Sequence, residues 1–414
     1  VSLYTSFDHY NPPIGPDQTP YDYFEALRDE AIETETPIGW SEVYGGFWVC
    51  TGWEEAREIQ HDTEAFSNID VTFPSYALPG GRPMMLSGID EPAHKKYRRL
   101  VQAPFSPARA WSMADYFRTD TNHLIDRFID SGRVDIVQTL TQEVPGRMTA
   151  MLLGLPPEEG GRYRTWVHAI AQQALRDPEG AAPHLREMDE HFEVILAERR
   201  ANPGDDVLSL IIQSEIDGER LTDEEIKDFF VVLLVGGIDN TVYLLANMMW
   251  RLGWDKELRR RLARKPALLE TAVDEFLRFY SPGIVARLIT KEVTVGGVTM
   301  QPGQHVVVFH PIVNRDPRQF ENPDVFNPER TPNRHFGLGL GIHRCLGAHL
   351  VRVEAQCVFE EFMRRIPEWE LDPERTSSWL PGQVGGMVSV PIVFPSGGGY
   401  PDADWHASQQ LAAA

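Results

Sequence analysis

The chain has 414 residues, 42% of them apolar and 24% charged. That composition excludes disordered, collagen-like and coiled-coil classes. With 39 basic residues against 61 acidic ones the net charge is −22, which argues against nucleic acid and anionic membrane surfaces as partners.

In chain order, residues 1–20 are polar, acidic and proline-rich and lack the apolar core of a signal peptide. No run of 18 apolar residues occurs anywhere, so a cytoplasmic protein without a membrane partner is expected. Apolar residues three and four apart predict helices over 21–32, 114–130 and 185–202, and alternation over 46–51 predicts a short strand. Thr222, with Glu225 three residues on, reads as a capping box opening a long helix. That helix is apolar almost without a break to Arg251, and at ~1.5 Å per residue it would cross a whole domain. Gly236 and Gly237 sit in its middle, followed by Asp239, Asn240 and Thr241. Each glycine costs about 1 kcal/mol inside a helix. Small residues with polar neighbours there predict another group packed against the backbone. Strands over 292–298, 305–309 and 388–394 and a helix over 348–365 follow, with a proline-rich irregular connection over 314–332. Such a connection inside a compact domain usually serves a site. Helices outnumber strands, and the strands cluster towards the two ends. The expected fold is mainly α with small β-sheets, not a doubly wound sheet. Residues 401–414 carry no periodic pattern and are expected to form a tail outside the fold.

The strongest chemical signal is Leu338-Gly339-Leu340-Gly341-Ile342-His343-Arg344-Cys345-Leu346-Gly347. A glycine-rich loop delivers Cys345 just before a helix, where N-terminal amides and the helix dipole favour a thiolate. Glycines also let backbone pass close to a flat partner. A buried structural cysteine is the alternative reading. It suits Cys50 and Cys357, which lack the glycine loop and a basic neighbour. Three cysteines cannot make a disulfide framework, and an odd count suits a reducing compartment. Glu275 and Arg278 are three apart on a helix and can pair. His94 and Arg98 are four apart and share a helix face.

Together these motifs resemble those of the cytochrome P450 family, over roughly residues 9–395. The resemblance implies a single domain over 1–400, a P450 fold enclosing haem b, with the Cys345 thiolate as axial ligand to iron. Leu338, Gly339, His343 and Gly347 would then hold the cofactor, although the family usually has Phe where Leu338 stands. His94, Arg98, Arg287 and His343 correspond to groups that bind the haem propionates. Glu275, Arg278 and Arg330 correspond to a buried structural network. Asp239 corresponds to the family's acid for proton delivery, and Asn240 stands where the neighbouring alcohol is usually Thr. Asn can donate a hydrogen bond but cannot relay a proton as a hydroxyl does, while Thr241 lies ~100° further round the helix. A helix-kink residue satisfying a freed carbonyl is the other reading of Asn240.

Within the family, the Gly236–Thr241 motif, residues 331–335 and 341–345, and segments 36–42 and 71–74 are similar to those of bacterial members that oxidise cineole. The implied reaction inserts one oxygen atom from O2 into a C–H bond of a small oxygenated apolar substrate, a cineole-like monoterpene first. O-demethylation of small aromatic ethers, peroxide-driven haem chemistry and non-catalytic haem-ligand binding remain alternatives. Residues 71–76, with Thr72 and Tyr76 among them, Leu234, Ile284, Val285 and the turn from Val384 to Met387 would line the substrate pocket, Tyr76 being either its polar anchor or a surface tyrosine. Electrons would come to a monomer from an external ferredoxin or flavodoxin, since no flavin or iron–sulfur segment fits in the chain. Lys95, Lys96, Arg99 and Arg344 are candidates for its docking patch.

Overall fold

A computed structural model describes residues 2–13, 15, 19–74, 84–174 and 176–396. The tail expected over 401–414, like Tyr76, lies outside the described residues. Helices dominate, and the strands form one five-stranded sheet and smaller sheets of two and three strands. The strands of the larger sheet are β1 (Ile38–Ser41), β2 (Phe47–Cys50), β3 (Phe66–Ser67), β4 (Val285–Ile289) and β5 (His305–Val308), in the order β1-β2-β5-β4-β3. β5 runs parallel to β2 and antiparallel to β4, with Val307 opposite Val49 and Ala286. Strand periodicity divides the faces. Val306 and Val308 enter one apolar cluster with Cys50 and Ile289, while Val307 enters another with Val49 and Ala286.

Five helices bound the site: α1 (Ala93–Val101), α2 (Glu143–Leu152), α3 (Asp223–Gly237), α4 (Asp239–Trp254) and α5 (Ala348–Arg365). The capping box at Thr222 is present: its hydroxyl accepts from the Glu225 N–H, and the Glu225 carboxylate accepts from the Thr222 N–H. α3 and α4 together form the long apolar helix read from sequence. It breaks at Ile238, whose φ and ψ are −101° and −74°, and ends at Trp254. Thr149 of α2 explains the close packing there. A Cβ added to Gly237 would come 2.5 Å from the Thr149 hydroxyl. Asp223–Trp254 is long and apolar enough to cross a bilayer, but 72% of its most apolar window is buried within the fold.

Boundaries elsewhere moved for local reasons. The segment 292–298 is no single strand but the start of a hairpin, Val293–Val295 with Val298–Met300. Gly296 and Gly297, at φ 56° and 79°, turn the chain between them. The strand expected over 388–394 divides into Gly386–Ser389 and Pro391–Val393. The helix expected from 185 starts at Pro178, where the Asp177 carboxylate accepts from the Gly180 N–H. The helix from Ala114 stops at Asp126.

Candidate active site

The loop before α5 is folded back on itself. The Cys345 N–H donates to the Leu338 carbonyl at 2.8 Å and the Gly339 N–H to the Phe336 carbonyl at 2.7 Å. Gly341, at φ 69°, passes so close to residue 60 that a Cβ would lie 2.7 Å from the Gln60 carbonyl oxygen. Gly347 caps α5. Cys345 is thereby open to an internal cavity, whereas Cys50 and Cys357 are buried. Enclosure by protein pushes the Cys345 thiol up. The Gly347 N–H, Arg98, Arg352 and Arg344 act in the opposite direction.

The cavity, of about 360 Å³, has a basic end and an apolar one. Arg98, Arg287 and His343 line the basic end, and the His94 ring packs against that of His343, tilted 44° to it, with centroids 4.1 Å apart. Arg287 is 3% exposed, and among the described residues its guanidinium donates only to the Ala286 carbonyl, at 2.7 Å. Burial, partly offset by Asp90, pulls Arg287 down to about 10. Arg98 donates to the Arg344 carbonyl at 2.6 Å. Nε2 of His94 and Nε2 of His343 are buried without a hydrogen-bond partner. Their Nδ1 atoms lie 3.4 Å from Glu91 Oε1 and 3.1 Å from the Leu86 carbonyl oxygen, respectively. Burial pulls the His343 imidazole down to about 3, with His94, Arg287 and Arg98 adding repulsion; burial lowers His94 too. A buried guanidinium such as that of Arg287, with no ion pair among the described residues, is costly unless something anionic binds.

At the apolar end α4 presents Asn240, Thr241 and Leu244, and α3 presents Val232, Leu233 and Gly236. Ile284, Val285, Val71 and Val384 form the facing wall. Backbone bonds tie that wall together: Ala286 N–H donates to Val71 at 2.9 Å and Ile284 N–H to Gln383 at 3.1 Å. Asn240 packs over Gly283, where a Cβ would come 2.8 Å from its Oδ1.

Several expected residues sit elsewhere. Leu234 belongs to the buried helical core, and its neighbour Leu233 lines the cavity, one residue being ~100° of helix. Thr72 is buried and is absent from the lining that Val71 joins. Met387 is buried in the core, its N–H bonded to Asn247 Oδ1, and Val384 lines the cavity in its stead. Asp239 does not reach the lining: it is 6% exposed and one carboxylate oxygen is unpartnered. Burial pushes Asp239 up to about 7, Arg164 opposing. Of the candidate basic patch, Lys96 is paired with Asp217, and Lys95, Arg99 and Arg344 are exposed.

Sequence reading missed Gln60, His310 and Glu354, which all line the cavity. His310 Nδ1 meets the Gly283 carbonyl at 2.9 Å, its Nε2 meets the Gln60 amide nitrogen at 3.1 Å, and Gln60 Oε1 accepts from the Leu340 N–H at 2.9 Å. This chain ties the substrate wall to the cysteine loop. Nothing in the local pattern around any of the three distinguishes it from a core residue.

The donor set fits haem: a cysteine open to the cavity, Gly339 and Gly347 beside it, the buried Arg287 guanidinium with no ion pair among the described residues, and the free Nε2 atoms of His94 and His343 to receive carboxylates. A family model described as "Cytochrome P450" matches residues 179–390. The chain belongs to the cytochrome P450 family. It is 31% identical to a mycinamicin IV hydroxylase/epoxidase from Micromonospora griseorubida over 84% of this chain and 89% of that one. It is 32% identical to a nocardicin C N-oxygenase from Nocardia uniformis subsp. tsuyamanensis, over 84% and 88%. The P450 CYP109E1 from Bacillus megaterium, solved in complex with testosterone, superposes with a TM-score of 0.80 at 29% identity, covering 91% of this chain and 98% of that one. As a P450 monooxygenase the chain takes thiolate-ligated haem b as its cofactor. When bound, haem supplies the redox chemistry by which dioxygen is split and one atom enters substrate. Around it the P450 site offers an anionic-ligand end, an apolar end and a kinked helix between them.

Proposed function

We propose that this P450 hydroxylates a small apolar substrate carrying one oxygen atom, a cineole-like bicyclic ether first and a small aromatic ether second. The observation that supports this is the distal wall: Val232, Leu233, Ile284, Val285 and Val384 are apolar, and the Asn240 amide is set among them. Such a wall binds a compact hydrocarbon by burial, about 25 cal/mol per Å², and the amide orients its oxygen. In this reading Cys345 ligates iron, and Leu338, Gly339 and Gly347 lie against the haem. Arg98, Arg287, His94 and His343 take the propionates. Asp239, Asn240 and Thr241 handle protons and oxygen. An external ferredoxin or flavodoxin supplies electrons.

Two absorption experiments test it. The carbon monoxide complex of the reduced protein is expected to show the Soret position of thiolate ligation, and Cys345→Ser to lose it. An unshifted wild-type band would sink the ligand assignment. Titration with cineole is expected to shift the Soret band of the resting protein. A shift with an aromatic ether and none with cineole would transfer the substrate to O-demethylation. Because Asn240 lacks a hydroxyl, a peroxide-driven reaction is the second reading. Turnover with peroxide but not with a reduced electron donor would establish it.

A further inference from the structure

Along the cavity wall that faces α4, three successive backbone carbonyls are already engaged. Pro282 accepts from the Gly385 N–H at 2.8 Å and Ile284 from the Gln383 side-chain amide at 2.6 Å. Between them the Gly283 carbonyl meets Nδ1 of His310 at 2.9 Å. His310 follows β5 directly, is 3% exposed, and stacks on Phe336 with ring centroids 6.0 Å apart. The direction of each bond leading to Gly283 is imposed from the cysteine loop outwards. The Leu340 N–H can only donate, so Gln60 Oε1 accepts and the Gln60 amide nitrogen is the end turned to His310 Nε2. That nitrogen also only donates, so Nε2 accepts and the ring proton sits on Nδ1, from which it is given to the Gly283 carbonyl. Burial, opposed by that carbonyl and reinforced by Arg287 and His335, pulls His310 down to about 4, so the ring is neutral at pH 7 and keeps this one tautomer. Asn240 sits over the same glycine, its Oδ1 2.8 Å from where a Gly283 Cβ would stand.

We propose that His310 is a positioning residue for the substrate: by keeping the Gly283 carbonyl engaged it leaves the Asn240 amide hydrogens to the substrate's oxygen. An ether oxygen accepts hydrogen bonds and donates none. A Gly283 carbonyl released from His310 would set acceptor against acceptor and would compete for the Asn240 donors. Glycine gives the peptide the freedom to turn once that tether is lost. The inference rests on the reading of the substrate as a small apolar compound with one oxygen atom, and deepens it by naming the residue behind that preference.

The test uses the haem-loaded protein as wild type, His310→Phe, His310→Asn and Gln60→Met, each first checked for the thiolate Soret signature. Phe keeps a ring against Phe336 without either nitrogen, whereas the Asn amide nitrogen falls near the place of Nδ1 and restores the donor. Soret titration with cineole against p-menthane, and with anisole against ethylbenzene, gives the preference for an ether over a hydrocarbon of similar size. His310→Phe is expected to lose about tenfold of the wild-type preference through weaker ether binding alone, and His310→Asn to stay within about twofold of wild type. Nitrogen NMR of the reduced carbon monoxide complex, with labelled histidine, is expected to show His310 protonated at Nδ1 in wild type, its signal being the one missing from His310→Asn. Gln60→Met, which keeps the ring but frees its tautomer, should show both tautomers and an intermediate preference. A wild-type His310 protonated at Nε2 overturns the proposal. So does a preference retained in His310→Phe, a His310→Asn no better than His310→Phe, or an unchanged preference in Gln60→Met with both tautomers present. A wild type that prefers neither ether to its hydrocarbon overturns the substrate reading itself and this proposal with it.

Discussion

Asp239 and Glu354 lie on different helices and are each left with a carboxyl oxygen unpaired in the interior. The cost of that arrangement falls on the ionised form, so it can be read as a pH dependence. For Asp239 the folded chain holds its proton up to about pH 7, against 3.8 for an ordinary aspartate. Between those values the folded state binds more protons than the unfolded one. Stability therefore falls as pH rises through that window and is level above it, by on the order of 1 kcal/mol per pH unit. Arg164, the one charge found to offset the burial, reduces the slope without reversing it. Asp239→Asn is expected to flatten the slope, so that thermal unfolding of variant and wild type converges near pH 4, diverges in the variant's favour up to pH 7 and keeps a constant difference above it. Its turnover should drop by roughly a hundredfold if Asp239 delivers a catalytic proton. A variant with wild-type turnover would leave Asp239 a structural acid.

The elements act by what they hold apart or pin together. Glu275 and Arg278 are both fully buried, joined by two 2.8 Å bonds, and Arg330 donates to the same carboxylate at 3.2 Å. The Asn327 N–H and the Asn333 amide also donate to Glu275. Helix Leu269–Phe279 is thus fastened to the irregular segment that leads into the cysteine loop. Removing Arg278 takes from the buried Glu275 carboxylate its two shortest charged bonds and leaves Arg330 as its one cation among the described residues. Arg278→Met is expected to cost about 3–5 kcal/mol, seen in chemical denaturation together with loss of bound haem. The kink between α3 and α4 depends on a smaller margin. Gly237→Ala gains about 1 kcal/mol of helix propensity but drives a methyl group into Thr149, a β-branched side chain with little rotamer freedom. The clash should dominate, for a loss of about 1–3 kcal/mol. In a Thr149→Ala background the same substitution should become stabilising, which a double-mutant cycle would show.

At the scale of the whole molecule the net charge of −22 makes local positive potential unusual. Arg344 and, at 36%, the apolar Ile342 are exposed on the cysteine loop, and Lys95 and Arg99 are exposed on α1, the helix whose Arg98 bonds the Arg344 carbonyl. An acidic electron donor would be steered to that spot. Arg99→Glu with Arg344→Glu is expected to slow reduction by the donor about tenfold at low ionic strength, and the difference should shrink as salt screens it. Stopped-flow reduction across a salt series measures both. Equal rates at every salt concentration would place docking elsewhere.

How much of this was legible in the chain follows from how each signal is written. The family, the mainly helical fold, the capped central helix and the loop carrying Cys345 are local patterns: glycines at fixed offsets, a 3.6-residue period, a capping pair three residues apart. Sequence alone determines such features because the atoms involved are neighbours along the backbone. The Glu275–Arg278 pair is legible from its three-residue spacing, but the part of Arg330 in the network follows only from family resemblance, since it is distant in the chain. Which side chains face the cavity was decided by tertiary structure. Leu233 lines it instead of Leu234, Val384 instead of Met387, and Asp239 turns away while Glu354 turns in. A one-residue change of register rotates a helix by ~100° or flips a strand's face, and only the packing of distant helices and sheets sets which register is buried. His310, Gln60 and Leu340 show the same limit. Their hydrogen-bonded chain joins three separate stretches, and no local pattern encodes it, because it exists only once the sheet and the cysteine loop have come together.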